Sequence, residues 1–324
     1  MRRIIMDEII RKIGLYGIVP VVKIERPEDT LPLAKAFCNA GLPVMEVTYR
    51  TNNAEGAIRE ITTEMPDMLV GAGTVIEPSQ VESAVKAGAK FIVTPNLDVE
   101  VVKTCQRHNI PVLPGCATPT DIAAAMSLGL NVVKFFPAEA SGGLSMIKAM
   151  NGPFGMMKFL PTGGINLDNM LDYLKNDKIL AVGGTFMANE GFVRDGQFDR
   201  VEMMTHLAMF KMYGFSLAHI GINCGDEQEA KKWAGLMASM FGFDCDEGTG
   251  AIFTGCFEFM KEPYLGERGH IAIATNFLER AMFRFETMGF KFDRSQDKFN
   301  DRGDLRAAYF ADEFFGFAVH LIQK

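Results

Sequence analysis

One amine stands in the middle of an apolar run. Val132 to Ala138 reads Val-Val-Lys-Phe-Phe-Pro-Ala, bounded by Asn131 and Pro137. A run of this length and composition predicts a buried strand that carries Lys134. Burial disfavours the ammonium form and lowers its pKa, which makes a lysine a nucleophile able to form a Schiff base with a carbonyl compound. The same side chain could instead snorkel past the strand end or pair with a carboxylate. Partner residues elsewhere in the chain bear on the choice.

Several segments supply such partners. In Met45-Glu46-Val47-Thr48-Tyr49-Arg50 the period of two puts Glu46, Thr48 and Arg50 on one face. Other strand ends read Gly71-Ala72-Gly73-Thr74 and Thr94-Pro95-Asn96, while Lys134 and Phe136 share a face. Glycine pairs close Pro161-Thr162-Gly163-Gly164 and open Gly183-Gly184-Thr185. Exposed backbone N–H groups at such pairs suit a phosphate, although tight turns use the same glycines. In chemical terms, Lys134 would attack a 2-oxo carbonyl to give an iminium, an electron sink that lets a neighbouring C–C bond break. Glu46 would then move protons, Arg50 would bind a carboxylate through its fork, and Phe136 would pack against the imine and exclude water. A purely structural Lys134–Glu46 pair and a surface Arg50 are the competing readings.

The elements that must position these residues are short and regular. Apolar runs at Ile18 to Ile24, Val44 to Thr48, Leu69 to Val75, Phe91 to Pro95, Pro111 to Cys116, Val132 to Phe136, Met157 to Pro161 and Ile179 to Val182 predict eight strands. Helical punctuation falls between them. Thr118-Pro119-Thr120-Asp121 provides a cap, a first-turn proline and an acid three residues after the cap, Gly129 a stop, and Pro78 to Gly88 and Asp98 to Asn109 repeat that logic. Eight strand–helix units over about 200 residues predict an α/β fold, a (β/α)8 TIM barrel, with its site where the strands end. A doubly wound sheet is the runner-up, but no G-x-G-x-x-G opens the first βα turn.

The combination of Glu46-Val47-Thr48-Tyr49-Arg50-Thr51, Val70-Gly71-Ala72-Gly73-Thr74, Lys134-Phe135-Phe136-Pro137-Ala138-Glu139 and Pro161-Thr162-Gly163-Gly164-Ile165 closely resembles the 2-keto-3-deoxy-6-phosphogluconate (KDPG) aldolases, which also include 4-hydroxy-2-oxoglutarate aldolases. It spans about residues 1–212. The resemblance implies a class I lyase, with no cofactor for the aldolase, cleaving a 2-keto-3-deoxy sugar acid phosphate to pyruvate and glyceraldehyde 3-phosphate, and a homotrimer. Position by position it implies Lys134 as the Schiff-base lysine and Glu46 as the acid/base, with Arg50 and Thr74 on the carboxylate. Pro95 and Phe136 would shape the pocket, and the phosphate would contact Thr162, Gly163, Gly164, Gly183, Gly184 and Thr185. Thr185 stands where members often have serine, and Asn96 where glycine is common. Asn96 and Cys116, the latter expected in the loop after the fifth strand, are both expected near the mouth.

The character of the chain changes near Phe215, which sets domains of 1–214 and 215–324. The second holds an internal repeat. Leu217-Ala218-His219-Ile220-Gly221-Ile222 matches Arg268-Gly269-His270-Ile271-Ala272-Ile273, and each is followed by a helix ending at Gly242-Phe243 or Gly289-Phe290. The halves close with Phe257-Glu258-Phe259 and Val319-His320-Leu321, a paired βαβββ pattern in a smaller α+β domain. It resembles the vicinal oxygen chelate superfamily, which includes glyoxalase I. That resemblance implies a divalent metal held by His219, Glu258, His270 and His320, a set suited to zinc, iron, manganese or nickel. A degenerate module with satisfied core histidines is the other reading, and Glu247, Glu262 or Glu313 could replace Glu258, since register is not fixed by sequence.

Composition narrows the partners. Hydrophobic residues form 48% and charged residues 23% of the 324, as in an ordinary globular chain rather than a disordered one. A net charge of -7 without a basic block argues against nucleic acid. Six cysteines without C-x-x-C spacing read as reduced core residues. Met1 to Lys12 lacks an uninterrupted apolar core and no run is long enough for a bilayer, so no membrane partner and a cytoplasmic location are expected. A Schiff-base aldolase is the leading expectation. A non-catalytic sugar-phosphate-binding barrel with a C-terminal sensor domain is the alternative.

Overall fold

Short parallel strands alternate with helices through the first part of the chain, and a mostly antiparallel sheet occupies the rest. The computed structural model describes residues 2–324. It divides into two compact units, Met1–Lys211 and Met212–Lys324, so the division falls inside the helix Phe198–Tyr213.

In the first unit the strands are β1 (Ile18–Val22), β2 (Val44–Thr48), β3 (Leu69–Gly73), β4 (Phe91–Val93), β5 (Val112–Leu113), β6 (Gly115–Cys116), β7 (Val132–Phe135), β8 (Lys158–Pro161) and β9 (Val182–Gly184). Pairing is parallel throughout, in the orders β5-β4-β3-β2-β1-β9 and β6-β7-β8. Isolated bridges Phe159–Ile179 and Thr162–Gly183 link the neighbourhoods of β8 and β9. The run expected as one strand from Pro111 is broken at Pro114, which has no N–H to give to a ladder. The Pro114 carbonyl instead accepts the Lys134 N–H at 2.9 Å.

The eighth strand also differs from expectation. It begins at Val182, and Gly183 and Gly184 lie inside it, opposite Val19 and Pro20. Gly183 is glycine because a Cβ there would meet Thr162 Oγ1 at 2.3 Å, so this pair is a close approach rather than a turn. Cys116 lies in β6 and is buried, not in a loop at the mouth.

Local signals account for the helices. Thr118 Oγ1 accepts the Asp121 N–H while Asp121 accepts the Thr118 N–H, capping Pro119–Ser127. Asp98 caps Val99–His108, and Asn109 closes that helix in the left-handed region at φ 54°. Strands covered by helices on their outer faces are apolar almost without interruption. Glu46, Thr48, Thr94, Lys134 and Thr162 are the polar side chains buried among Val, Ile and Phe on or beside these strands.

The second unit comprises β10 (Ser216–Asn223), a helix Glu227–Phe241, β11 (Cys245–Glu247), β12 (Ala251–Thr254) and β13 (Phe257–Met260). Then come β14 (Gly269–Thr275), a helix Leu278–Thr287, β15 (Phe292–Phe299), β16 (Leu305–Phe310) and β17 (Phe317–Gln323). They form one eight-stranded sheet in the order β11-β12-β13-β10-β14-β17-β16-β15. At its centre β10 and β14 run antiparallel, with Gly221 opposite His270 and His219 opposite Ala272. The helix Glu227–Phe241 buries Ala230 and Ala234 against Ile252 and Phe259. Of the six free cysteines, Cys105, Cys116 and Cys224 are buried and Cys38 half-buried, but Cys245 and Cys256 are exposed, contrary to a uniform core role. Among the described residues no helix is long and apolar enough to cross a membrane.

Candidate active site

Glu46 is the third residue of β2 and Lys134 the third of β7, strands that share no ladder. Their side chains nevertheless meet, with Lys134 Nζ 3.5 Å from Glu46 Oε1 and both almost wholly buried. The meeting is made possible by Gly73 on β3. A Cβ there would lie 2.1 Å from Glu46 Oε1 and 2.5 Å from its Cγ, so glycine leaves the volume that the carboxylate fills. Glu46 Oε2 is buried with no hydrogen-bond partner among the described residues, so the carboxylate keeps accepting capacity beyond the amine. The Phe136 ring, half-buried, has Lys134 Nζ 5.0 Å from its centroid, close enough for a cation–π contact.

Past the strand ends, Arg50 Nε donates to Thr74 Oγ1 at 3.1 Å, and Thr74 holds a left-handed backbone at φ 55°. A non-glycine residue in that region carries backbone strain, and such strain gathers at binding sites. Thr48 donates to the Val22 carbonyl at 2.9 Å and Thr51 to that of Ile24 at 2.8 Å, tying the segments after β1 and β2 together. A cavity of about 440 Å³ opens here, lined by Lys23, Thr48, Arg50, Thr185, Asn189 and Glu190 among others.

The other expected residues lie at or just past the ends of β4, β8 and β9. Pro95 is half-buried, and its carbonyl carbon and oxygen press on Gly115, where a Cβ would lie 2.1 Å from the oxygen. Thr162 is buried with its hydroxyl unpartnered among the described residues. Gly163 and Gly164 follow it at φ 98° and 82°, and Gly163 accepts the Glu139 N–H at 3.1 Å. Gly164 has a packing reason of its own, since a Cβ would reach 2.5 Å from Glu139 Cγ. Thr185 is exposed and Gly183 and Gly184 are buried. Asn96 is exposed and uses its carbonyl to accept the Thr94 hydroxyl. Lys23, Asn189 and Glu190 carry no signal in the sequence, because a charged or amide residue just past a strand looks like any surface residue.

In the second unit, His219, Glu258, His270 and His320 face one side of the sheet. Glu258 Oε2 lies 3.3 Å from His219 Nε2 and 3.1 Å from His270 Nε2. One ligand atom from each of these three residues falls within 4.8 Å of the others. The His320 ring centroid is 5.6 Å from that of His219 and 5.4 Å from that of His270. Glu258 is therefore the carboxylate at the histidines. Glu247 is exposed and paired with Lys231 and Lys261, and Glu262 and Glu313 are exposed. The His270 ring rests where a Cβ on Gly221 would stand, 2.0 Å from Cε1. Burial pushes His219 down and His320 down to about 3, keeping those rings neutral, while the hydrogen bond from His270 holds Glu258 below the usual carboxylate range. Neutral imidazoles around an anionic carboxylate make a cation-binding donor set. Tyr309 stacks on His320 at 4.3 Å, and Tyr264 meets His270 edge-on.

Parallel strands with a buried amine and carboxylate meeting between them are a framework that an aldehyde-lyase of the Schiff-base class would use. The chain belongs to the KDPG and KHG aldolase family, whose model matches residues 7–204. It is 43% identical over 195 residues to the 2-dehydro-3-deoxy-phosphogluconate aldolase of Haemophilus influenzae, covering 60% of this chain and 92% of that one. With the KHG/KDPG aldolase of Escherichia coli K12 it shares 39% identity over 192 residues, 59% of this chain and 90% of that one. A Legionella pneumophila KDPG aldolase crystallised with pyruvate captured as a covalent carbinolamine is similar at a TM-score of 0.58 and 37% identity, covering 60% of this chain and 96% of that one. A Zymomonas mobilis KDPG aldolase with 3-phosphoglycerate gives the same TM-score and identity over 63% and 94%. These relatives match the first unit; the family model does not extend to the second.

Proposed function

We infer that the protein is a Schiff-base-forming aldolase that cleaves 2-keto-3-deoxy-6-phosphogluconate to pyruvate and glyceraldehyde 3-phosphate, and 4-hydroxy-2-oxoglutarate to pyruvate and glyoxylate. The observation that carries this reading is the buried Lys134–Glu46 pair at 3.5 Å, with Arg50 and Thr74 at the same rim. Lys134 in its amine form adds to the C2 carbonyl to give a carbinolamine, and Glu46 supplies the proton with which the hydroxyl leaves as water. In the iminium that results, C3–C4 cleavage places its electron pair in an enamine as the C4 hydroxyl gives its proton to Glu46 and becomes the aldehyde. The enamine then takes a proton at C3, and water hydrolyses the imine to pyruvate and the free amine. Arg50 and Thr74 bind the carboxylate beside C2, Phe136 and Pro95 wall the pocket, and the phosphate is met by Thr162, Gly163, Gly164, Gly183, Gly184 and Thr185.

A closed (β/α)8 barrel supports this arrangement. The pairings run from β9 through β1 to β5 and from β6 to β8, and the bridges beside β8 and β9 are links that such a barrel would need between the two sheets. Side chains from β2 and β7 meet only if those strands face each other across an interior. Domains of 1–214 and 215–324, a homotrimer and a cytoplasmic location complete the reading, the trimer carried over from the family resemblance. A non-catalytic sugar-phosphate-binding barrel gives no reason to bury a lysine and a glutamate together, a costly arrangement for a binding scaffold.

The second unit is read as a vicinal oxygen chelate module with paired βαβββ halves. Its residues fit a divalent metal: Gly221 leaves the space that the His270 ring fills, and Nε2 of His219 and Nε2 of His270 converge on Glu258 Oε2 at 3.3 and 3.1 Å. His219, Glu258, His270 and His320 would hold the ion, which would supply Lewis-acid polarisation of a substrate oxygen.

An aldol-cleavage assay tests the first reading, comparing both 2-oxo acids named above with unphosphorylated 2-keto-3-deoxygluconate. Borohydride with pyruvate is expected to fix one adduct at Lys134, absent in Lys134→Ala. A wild-type protein that forms no adduct refutes the aldolase.

A further inference from the structure

Lys23 has no role in the mechanism above, yet it lines the same cavity as Arg50. Its backbone is held on both sides. The carbonyl before it, on Val22, accepts the Thr48 hydroxyl, and the carbonyl after it, on Ile24, accepts the Thr51 hydroxyl. A surface lysine needs no such mounting, and both donors come from the segment that carries Arg50. The side chain is about one-third exposed, and its Nζ pairs with Glu25 at 2.6 Å. Glu25 itself is two-thirds exposed, so the ammonium has a partner that solvent can take over when a better anion arrives.

Strand order fixes what Lys23 lies between. The sequence of neighbours is β9, β1, β2, β3, so Thr185, Lys23, Arg50 and Thr74 follow one another around the rim. Arg50 is committed toward β3 by its bond to Thr74, the side assigned to the carboxylate of the pyruvate half. Lys23 stands on the opposite side of Arg50, where the cavity is completed by Thr185 and Asn189 after β9. A substrate of this aldolase carries a second anion at the far end of its aldehyde half. The charged groups in the field of Lys23 are Glu25 and Glu190, which favour its charge, and Arg50, which opposes it.

Resting on the aldolase reading, we propose that Lys23 is a further substrate-contacting residue, a cation that leaves Glu25 to bind the anionic terminus of the aldehyde half and so sets the preference for charged over uncharged aldehydes. The ligand chemistry is a phosphate monoester or a carboxylate at that terminus, beside the Thr185 hydroxyl.

The test is Lys23→Met, which keeps the apolar stem, assayed as the full chain beside Lys23→Arg. Substrates are 2-keto-3-deoxy-6-phosphogluconate, 4-hydroxy-2-oxoglutarate and unphosphorylated 2-keto-3-deoxygluconate. A charge-assisted hydrogen bond contributes enough that its loss is expected to raise KM roughly tenfold to a hundredfold for the anionic substrate it serves. The preference for that substrate over the uncharged one should fall by the same factor, and Lys23→Arg should restore it. A phosphate-specific loss identifies the phosphate as the partner, a loss confined to 4-hydroxy-2-oxoglutarate the carboxylate. Equal KM changes for all three substrates, or an equal shift in the pyruvate concentration that half-saturates borohydride trapping, would overturn the proposal, because the cation would then serve the pyruvate half or nothing. A wild-type protein that forms no pyruvate adduct removes the aldolase reading and this proposal together, whereas normal trapping with unchanged selectivity removes the proposal alone.

Discussion

Gly73→Ala is the sharpest perturbation of the site, because the change is one methyl group and the residue it strikes is known. The backbone at Gly73 does not lie in the left-handed region, so alanine is acceptable there on conformational grounds. Its Cβ, however, would stand 2.1 Å from Glu46 Oε1, 2.5 Å from Cγ and 2.6 Å from Cδ, where ordinary contact begins at 3.4 Å. The carboxylate must therefore retreat by roughly 1 Å, and a misplacement of about that size costs on the order of a hundredfold in rate. On the barrier this is about 2.7 kcal/mol. Crowding a packed interior should also lower stability by about 1–3 kcal/mol. The assay is pyruvate release at saturating substrate, with the melting temperature measured alongside. The expected result is a fall in kcat with borohydride trapping of pyruvate retained, since Lys134 keeps its place. Wild-type kcat in a folded Gly73→Ala protein would refute the reasoning, since Glu46 would then not need its observed position.

Glu46→Gln keeps the shape and removes the proposed proton carrier, so kcat should fall by about 10²–10⁴; single-turnover trapping with pyruvate would show a slower adduct rather than none. Gly221→Ala puts a methyl carbon 2.0 Å from His270 Cε1, so the ring must leave its place. If the second unit binds a divalent metal as proposed, metal analysis of the full chain should find the ion in the wild type and not in Gly221→Ala, with aldol cleavage unchanged. Asp121 loses some solvation, which raises its pKa, but the N–H groups of Ala117 and Thr118 and the Thr118 hydroxyl more than offset this and hold it below the usual carboxylate range. A depressed carboxyl stabilises the fold above its unfolded pKa and loses that contribution as pH falls through the folded one. Asp121→Ala should therefore cost about 1 kcal/mol at pH 7 and progressively less below about pH 4, as measured by denaturant melts.

Much of the site can be read locally, and the rest depends on distance. Lys134 is legible because a charge in an apolar run is rare, and Glu46 because the period of two places it with Thr48 and Arg50. That the two touch depends on strands β2 and β7 facing one another, which no local pattern encodes. Lys23 stays hidden in the sequence because what singles it out is Thr48 and Thr51, which bond the carbonyls on either side of it from β2 and the segment after it. The local pattern puts the eighth strand too early because glycine usually marks a turn, whereas Gly183 admits Thr162. In the second unit the repeat aligns His219 with His270. Only the sheet register distinguishes Glu258 from the other acids, since a one-residue slip would have turned it away.

The mounting of Lys134 has a consequence for a ligand as small as pyruvate. Its backbone is laddered to Gly115 and Leu160, its N–H is taken by Pro114, and its stem is enclosed almost to the tip. A free lysine side chain carries about 2 kcal/mol of rotamer entropy. Here that freedom is surrendered when the chain folds and not when the ligand arrives. A three-carbon acid has few atoms with which to offset the ordering of its receptor, and affinity per atom has a ceiling. If Lys134 is the nucleophile, as proposed, it is already still before so small a molecule arrives.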